Sequence, residues 1–339
     1  MSKLDKENIP LAKAAYKKQF TEAMIKMGVK PGPYYRKVGL PAKDPEDLES
    51  LIPLRPMYRM ANIVALQEGI PNFGSRVAQL KPWHKIETLG PLIAASETLE
   101  ALLLSFCKVA SGQRSLADFQ VNREDDGFWF GYHGPNIIGS DVQMELYRLT
   151  GMIQLVQLAT GTSWRPVRVE LRMPKIDMRP SCNLIARSNL AFSCDDSRFS
   201  VPDFVLRLPV NMNPPNTPKG SGIRYDINAD FKNSLHQIIL IYLHRPCKIE
   251  SISKVTEIEV RTLQRRLKEH GTSFAGLYRE ARFEMAKNKL EKTSSTIAII
   301  AAELGYKEAT NFVRAFKKWS GMTPGQYTTQ PQISGVRLD

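Results

Sequence analysis

The residues best suited to chemistry lie in two basic segments near the C-terminal end of the chain. Each segment presents polar and basic side chains at the spacing of one helix face: Arg261, Thr262, Gln264, Arg265 and Lys268 in the first, and Thr310, Arg314, Lys317 and Lys318 in the second. Arg and Gln can hydrogen-bond to base edges in the major groove of DNA, and Lys can neutralise phosphates. The alternative for these side chains is a solvated helix face, or an ion pair for the two arginines Arg265 and Arg314.

The two segments are copies of one unit, repeated after 49 residues. Four positions of the first copy recur in the second: Leu263, Arg265, Leu267 and Lys268 correspond to Phe312, Arg314, Phe316 and Lys317. Each copy reads as a short apolar helix, a tight turn and a basic amphipathic helix closed by glycine. This pattern predicts two helix-turn-helix units, over residues 249–270 and 296–320.

A long helix, residues 273–292, is predicted between the two units. A helix of that size spans about 30 Å, and one turn of B-DNA is about 34 Å. One monomer could therefore read two short half-sites about one turn apart. A further helix is predicted over residues 230–244, and Thr323, Pro324 and Gln326 predict a capped start for a last helix.

Three strings in this region, RTLQRRLKEHGTSF, YREARFEMAKNKL and IAIIAAELGYKEATNFVRAFKKWSGMTPGQY, match a known pattern. Over residues 230–327 the chain resembles the AraC/XylS family of bacterial transcription regulators. The resemblance implies base-edge contacts from two sets of residues: Arg261, Gln264 and Arg265 in the first unit, and Ala309, Thr310, Val313 and Arg314 in the second. It also implies contact with RNA polymerase and activation of transcription.

The chain departs from the family pattern at the turn and helix start of the first unit and at two positions of the second. Glu257 stands where a turn glycine is usual, and Glu259 where a capping Ser is usual. In the second unit Ala309 and Val313 are apolar, which favours thymine-methyl contact over hydrogen bonding. We therefore expect the first unit to carry more of the sequence discrimination.

The chain divides at residues 208–223, LPVNMNPPNTPKGSGI, where proline and glycine break regular structure. This predicts an effector-sensing and dimerisation domain over residues 1–207, a linker over 208–227 and a DNA-binding domain over 228–330. The alternative is a long surface loop within one domain. The net charge is +13 over 339 residues, and residues 228–339 carry 18 Lys and Arg against 11 Asp and Glu. A basic domain favours an anionic partner.

The N-terminal part mixes both kinds of element, which predicts an α/β (α+β) domain, whereas the part after the linker is all-α. Helices are predicted over residues 10–27, 56–67, 91–110 and 144–160. Strands are predicted over residues 118–121, 127–131, 167–172, 182–187, 190–193 and 204–206, with a turn at 122–126.

Two strings of this part, TLGPLIAASETLEALL and TGTSWRPVRVEL, resemble the arabinose-binding type of N-terminal domain found in some AraC/XylS regulators. The resemblance covers about residues 21–206. It implies a small-molecule effector and is compatible with a homodimer. Relatives respond to amino acids, amines and other metabolites, so arabinose does not follow from the name.

The effector pocket has no clear signature. Trp129 and His133 lie on an aromatic strand that could line a cavity, although an aromatic sheet core accounts for the strand as well. His84 and His133 have no partner at metal-ligand spacing, and Asp125-Asp126 and Asp195-Asp196 are typical of solvated turns. No metal, cofactor or catalytic residue is predicted, because the chain has no P-loop, G-x-S-x-G or G-x-G-x-x-G motif.

These observations favour a cytoplasmic, effector-controlled transcription regulator that binds double-stranded DNA. The N-terminus, MSKLDKENIP, lacks the apolar stretch of a signal peptide, and no apolar run would span a membrane. The four cysteines form no C-x-x-C, which favours a reducing compartment. One alternative is an architectural DNA-binding protein without ligand. Another is a methyl-accepting repair enzyme fused to a DNA-binding module, which needs a reactive thiol at Cys107 or Cys182.

Overall fold

The chain folds into two compact units, Met1–Ala229 and Asp230–Asp339. The computed structural model describes residues 9–44, 50–83, 89–112, 118–124, 127–133, 142–173, 175, 183–210, 231–243, 247–292 and 295–329. The first unit combines helices with two sheets, and the described part of the second is entirely helical outside its turns. The predicted fold class, an α/β domain followed by an all-α domain, is confirmed.

Most of the predicted linker, residues 211–227, lies outside the described residues. Its first three residues, 208–210, are hydrogen-bonded to the first unit. The amide of Leu99 donates to the carbonyl of Leu208 at 3.0 Å, and the amide of Val210 donates to the carbonyl of Glu97 at 3.3 Å. The chain therefore leaves the described part of the first unit no earlier than Val210.

The helices of the first unit surround a central one. They are α1 Ala14–Lys26, α2 Pro31–Lys37, α3 Leu54–Gln67, α4 Phe73–Leu80, α5 Gly90–Ala94, α6 Leu99–Gly112, α7 Val142–Thr160 and α8 Asp203–Leu206. Helix α7 is buried at every residue from Gln143 to Ile153. Helix α4 reaches it closely because Gly74 has no side chain: a Cβ there would lie 1.6 Å from the carbonyl oxygen of Gln143.

The strands of the first unit form a two-stranded and a five-stranded sheet. The small sheet pairs β1 Leu11–Lys13 with β2 Leu51–Pro53, antiparallel. The large one contains β3 Asp118–Glu124, β4 Gly127–His133, β5 Arg168–Leu171, β6 Asn189–Phe192 and β7 Ser197–Val201, in the order β3-β4-β7-β5-β6. Its neighbours are antiparallel except β5 and β6, which are parallel.

One face of the large sheet packs on the helices. The register aligns Val121, Phe130, Phe199 and Val169 in one row across four strands. The ring of Phe130 lies 6.0 Å from that of Phe106 on α6 and 5.7 Å from that of Phe199. The aromatic residues at alternate positions of β4 are therefore core residues, as an aromatic sheet requires.

Charged side chains lie inside this core, between α7 and the sheet. Glu145 accepts hydrogen bonds from the hydroxyls of Tyr132 and Ser197, and the guanidinium of Arg148 donates to those of Tyr132 and Tyr58. Burial raises the pKa of Glu145 to about 7, and burial lowers the pKa of Arg148 to about 10. Such groups are retained in a core only when their hydrogen bonds are satisfied.

The second unit follows the predicted order of helices. These are α9 Phe231–Tyr242, α10 Ile249–Thr256, α11 Val260–Glu269, α12 Phe274–Lys292, α13 Ile297–Glu303, α14 Ala309–Ser320 and α15 Pro324–Thr329. The predicted capping box is present: the amide of Thr323 donates to Oε1 of Gln326 at 2.9 Å, and the amide of Gln326 donates to Oγ1 of Thr323 at 3.3 Å.

Several predicted elements of the first unit are wrong. Residues 11–13, predicted as helix, form β1, because the pairing with β2 takes their backbone hydrogen bonds. The helix predicted over 91–110 is broken after Ala94, where Thr98 accepts the amide of Ala101 and begins α6. Residues 204–206 belong to helix α8, which follows Pro202, and are not a strand.

Other differences concern lengths and missed elements. Residues 183–187 form a turn, and Cys182 lies outside the described residues. Strand β3 continues through residues 122–124, so this part of the turn predicted at 122–126 is strand. The other two residues, Asp125 and Asp126, lie outside the described residues. Helices α2 and α4 and strands β1, β2 and β7 were not predicted.

The buried Glu145 predicts a pH-dependent stability of the first unit. Its pKa is raised from 4.5 to about 7, so the native state holds a proton that the unfolded chain releases between these values. The free energy of unfolding should fall by roughly 2–3 kcal/mol between pH 5 and pH 8 on account of this group. Glu145→Gln should remove this part of the pH dependence.

Denaturant unfolding followed by tryptophan fluorescence measures the effect, since Trp83, Trp129 and Trp164 all belong to the first unit. The informative quantity is the difference in unfolding free energy between the variant and the wild type at each pH. If that difference is constant from pH 5 to pH 8, Glu145 does not titrate in this way.

Candidate nucleic-acid interface

The first helix-turn-helix unit consists of α10 and α11. Helix α11 buries Leu263 and Leu267 against Ile252 and Val255, all four nearly inaccessible to solvent. Two apolar residues four apart fix the rotation of the helix about its axis. The opposite face must therefore point to solvent, and it carries the basic residues.

The predicted contact residues of α11 form one exposed stripe. Arg261, Gln264, Arg265 and Lys268 are all exposed, and Thr262 is half-buried. Arg265 also pairs with Glu269 one turn later, with 2.5 Å between Nη1 and Oε1. Both side chains of this pair are more than half exposed, so the pair is weak and its arginine remains available to a ligand.

The second helix-turn-helix unit, α13 and α14, repeats this arrangement. Phe312 and Phe316 are buried, and the exposed residues of α14 are Thr310, Asn311, Arg314, Lys317 and Lys318. Ala309 and Val313 are half-buried at the edge of the stripe. The structure thus places the predicted residues of each unit together on one helix face.

The two recognition helices, α11 and α14, begin at matching positions of the repeat. Glu259 and Glu308 precede them, 49 residues apart, in extended backbone, and neither side chain caps its helix. The turns differ: Gly305 has φ +76°, whereas Glu257 adopts φ +57° and ψ +29°. A left-handed conformation is costly for a residue with a side chain, so Glu257 strains the first turn.

Helix α12 joins the two helix-turn-helix units, and all three belong to the compact unit Asp230–Asp339. Its 19 residues correspond to about 29 Å. Helix α9 packs on it through Lys232–Glu280 and His236–Glu284, at 3.5 and 3.6 Å. The ring of Phe231 on α9 in turn stacks on that of His270, just after α11, at 6.1 Å.

The N-terminal candidates Trp129 and His133 lie on the sheet face opposite the aromatic core row. Trp129 is 3% exposed, because Arg168 and Arg198 cover its ring with guanidinium carbons 4.7 and 4.4 Å from the centroid. Nδ1 of His133 lies 2.8 Å from Oδ1 of Asp196 at an exposed position. A ligand would reach the indole only if one arginine moved.

The thiols of Cys107 and Cys247 are poorly suited to covalent chemistry. Burial raises the pKa of Cys107 to about 12 and that of Cys247 to about 11, so both are protonated at neutral pH. Where the structure is described, no group of three His, Cys, Asp or Glu residues could hold a metal ion. Within those same residues, no helix is long and apolar enough to cross a bilayer.

Known family models match parts of both compact units, Met1–Ala229 and Asp230–Asp339. Residues 28–210 match the arabinose-binding domain of AraC transcription regulators, N-terminal, and residues 252–330 match a helix-turn-helix domain. The chain therefore belongs to the AraC family of transcription regulators, which is a family of regulators and not of enzymes.

Individual relatives match either nearly the whole chain or only a short part of it. The HTH-type transcriptional regulator VirS of Mycobacterium tuberculosis is 23% identical over 331 residues, 93% of this chain and 96% of that protein. An uncharacterized HTH-type regulator of the same species is 42% identical over 72 residues, only 21% of either length. The crystal structure of transcriptional regulator CdpR from Pseudomonas aeruginosa covers 93% of this chain at 17% identity, with a TM-score of 0.41.

The strained turn predicts a stabilising substitution at Glu257. Glycine has no Cβ penalty at φ +57°, so Glu257→Gly should be more stable than Glu257→Ala by about 1 kcal/mol. The alanine variant is the matched control, because it also lacks the carboxylate but keeps the Cβ. Thermal and denaturant unfolding of both variants test this, and an alanine variant as stable as the glycine variant would contradict it.

Proposed function

We propose that the protein is a sequence-specific DNA-binding transcription regulator whose activity is controlled by a small-molecule effector. Residues 228–330 bind promoter or operator DNA, and residues 1–207 bind the effector and provide any dimer contact. The regulator acts as an activator through contact with RNA polymerase, as the family resemblance implies.

The observation that carries this proposal is the pair of matching basic stripes on α11 and α14. Each stripe faces solvent because two buried residues on the other side of the helix fix its direction. The connecting helix, at about 29 Å, is close to the 34 Å repeat of B-DNA. Two adjacent major-groove segments on one side of a duplex fit this spacing.

The two stripes differ in the chemistry available for reading bases. Arg261 and Arg265 suit the acceptor pair of guanine, and Gln264 suits adenine. Among the predicted contact residues of α14, Arg314 offers comparable donors, while Ala309 and Val313 suit thymine methyl groups. The lysines Lys268, Lys317 and Lys318 contact phosphates and position the helices. Thr310 contacts base edges, and Thr262 is a further DNA contact.

Effector control is a shift between two states that differ in how the DNA-binding unit is presented. An effector can shift this equilibrium only if it binds one state more tightly. Trp129 and His133 remain the candidate effector contacts, with Arg168 and Arg198 as the side chains that would have to open.

The first test recovers the DNA that the full-length protein selects. Fragmented genomic DNA is captured on the purified protein at near-physiological salt and sequenced. The expected result is a motif with two short half-sites about one helical turn apart. Binding without an enriched motif that fades with salt would instead favour an architectural DNA-binding protein.

Two substitutions separate base reading from phosphate contact. Arg265→Ala should weaken binding to the recovered site by about 1–3 kcal/mol and leave non-specific binding nearly unchanged. Lys317→Ala should weaken binding to all sequences similarly and reduce the salt dependence by about one ion.

Arg265→Ala also leaves Glu269 unpaired beside the DNA, so Arg265→Ala/Glu269→Ala is the matched control. Fluorescence anisotropy on specific and scrambled duplexes, at several salt concentrations, gives both quantities. Wild-type affinity of the double variant for the recovered site would show that α11 does not read bases through Arg265.

A further inference from the structure

Helix α12 carries an arginine enclosed between two tyrosine rings. Cζ of Arg282 lies 4.5 Å from the ring centroid of Tyr278 and 4.3 Å from that of Tyr306. Its Nε is buried and has no hydrogen-bond acceptor among the described residues. The guanidinium is therefore held by the faces of the two rings and by a hydrogen bond to the side chain of Tyr306.

The first ring is connected to the start of the first helix-turn-helix unit. The hydroxyl of Tyr278 accepts a hydrogen bond from the amide of Cys247 at 3.4 Å, two residues before α10 begins. Burial raises the pKa of Cys247, and the charge of Arg282 opposes that rise, as expected for a nearby cation. The contact between Arg282 and Tyr278 is thus connected to the residues that precede α10 in the first helix-turn-helix unit.

The second ring, that of Tyr306, belongs to the turn between α13 and α14 in the second helix-turn-helix unit. The amide of Tyr306 donates to the carbonyl of Ala301 at 2.9 Å, which ties the turn to α13. Its ring lies 5.7 Å from that of Phe312, a buried residue of the recognition helix α14. A change at Arg282 therefore acts on α14 through Tyr306.

Helix α12 also contacts α14 itself, and this contact is apolar. Phe283 lies 5.5 Å from the ring of Phe316 and 5.9 Å from that of Trp319. These rings hold α12 against α14, and the planar guanidinium of Arg282 adds a directional restraint between α12 and the turn that precedes α14.

Rotation matters because the spacing of half-sites on DNA is a rotation as well as a distance. One extra base pair moves a half-site by about 3.4 Å and turns it by about 35° around the duplex. Two recognition helices held at a fixed angle therefore fit one spacing, and loosely held helices fit several.

We propose that Arg282 is a positioning residue that fixes the angle between α11 and α14 by bridging Tyr278 and Tyr306, and thereby selects one half-site spacing. This inference rests on the proposed reading of two half-sites by one chain. It assigns spacing selectivity to a side chain that does not face the DNA-binding stripes.

The test compares affinities for duplexes that differ only in half-site spacing. The two half-sites recovered with the wild-type protein are placed at their natural spacing and one and two base pairs closer or farther. A further duplex carries the first half-site alone. Full-length Arg282→Met keeps an unbranched apolar stem but loses the planar cation, and Arg279→Met, an exposed arginine on the same helix, is the matched control.

The wild type and Arg279→Met should lose about tenfold or more in affinity for each base pair of altered spacing, because one unit loses its contacts. Arg282→Met should bind the altered spacings within about threefold of the natural one, with unchanged affinity for the single half-site. Arg282→Lys keeps a cation without the planar stack and should give an intermediate profile. Tyr306→Leu removes one ring with Arg282 in place, and it should flatten the profile as Arg282→Met does.

Two outcomes would overturn the inference: an Arg282→Met profile as steep as that of the wild type, or an equal loss on every duplex including the single half-site. If Arg282→Met melts at a markedly lower temperature than the wild type, the Tyr306→Leu and Arg282→Lys profiles decide in the same way. A wild type that shows no spacing preference would instead refute the reading of two half-sites itself.

Discussion

Burial of two apolar residues on each recognition helix determines what the second unit can touch. Leu263 and Leu267 hold one face of α11 inside the unit, and Phe312 and Phe316 do the same for α14. Every other feature of the interface depends on this constraint, since the helical period then directs the basic residues outward. The charge excess of the C-terminal third becomes two ordered stripes because the apolar residues are spaced as they are.

The sequence predicts this unit well because its signals are local. A repeat of 49 residues, glycine at the helix ends and a capping box at Thr323 each specify structure within a few residues, and α14 begins and ends where predicted. The first unit was harder, since its elements depend on distant partners. Strand β1 has three residues and exists only because β2, about 40 residues later, pairs with it. The stack around Arg282 escaped prediction for the same reason: Tyr306 lies 24 residues from it, in the turn before α14, and no local pattern connects the two residues.

The two units use charge in opposite ways. In the second, the basic residues of α11 and α14 lie on the outside, where they interact with water or with a ligand. In the first, Glu145 and Arg148 are buried at the centre, where Tyr58, Tyr132 and Ser197 satisfy them. A buried network of this kind joins helices α3 and α7 to strands β4 and β7 through directional bonds, which restricts the arrangements open to the core. The candidate effector residues lie on the other face of the same sheet, so any movement there is coupled mechanically to a rigid layer.

The difference between α11 and α14 makes the compact unit Asp230–Asp339 asymmetric along the DNA that it is proposed to bind. Among the proposed base contacts, one helix presents Arg261, Gln264 and Arg265, and the other presents Thr310 and Arg314 beside the apolar Ala309 and Val313. With the proposed base contacts, the two unlike helices would distinguish the left end of a site from the right end. A single bound chain then points one way along the duplex, and its first unit lies either upstream or downstream of any neighbouring gene. Reversing such a site would leave affinity intact while turning the protein around.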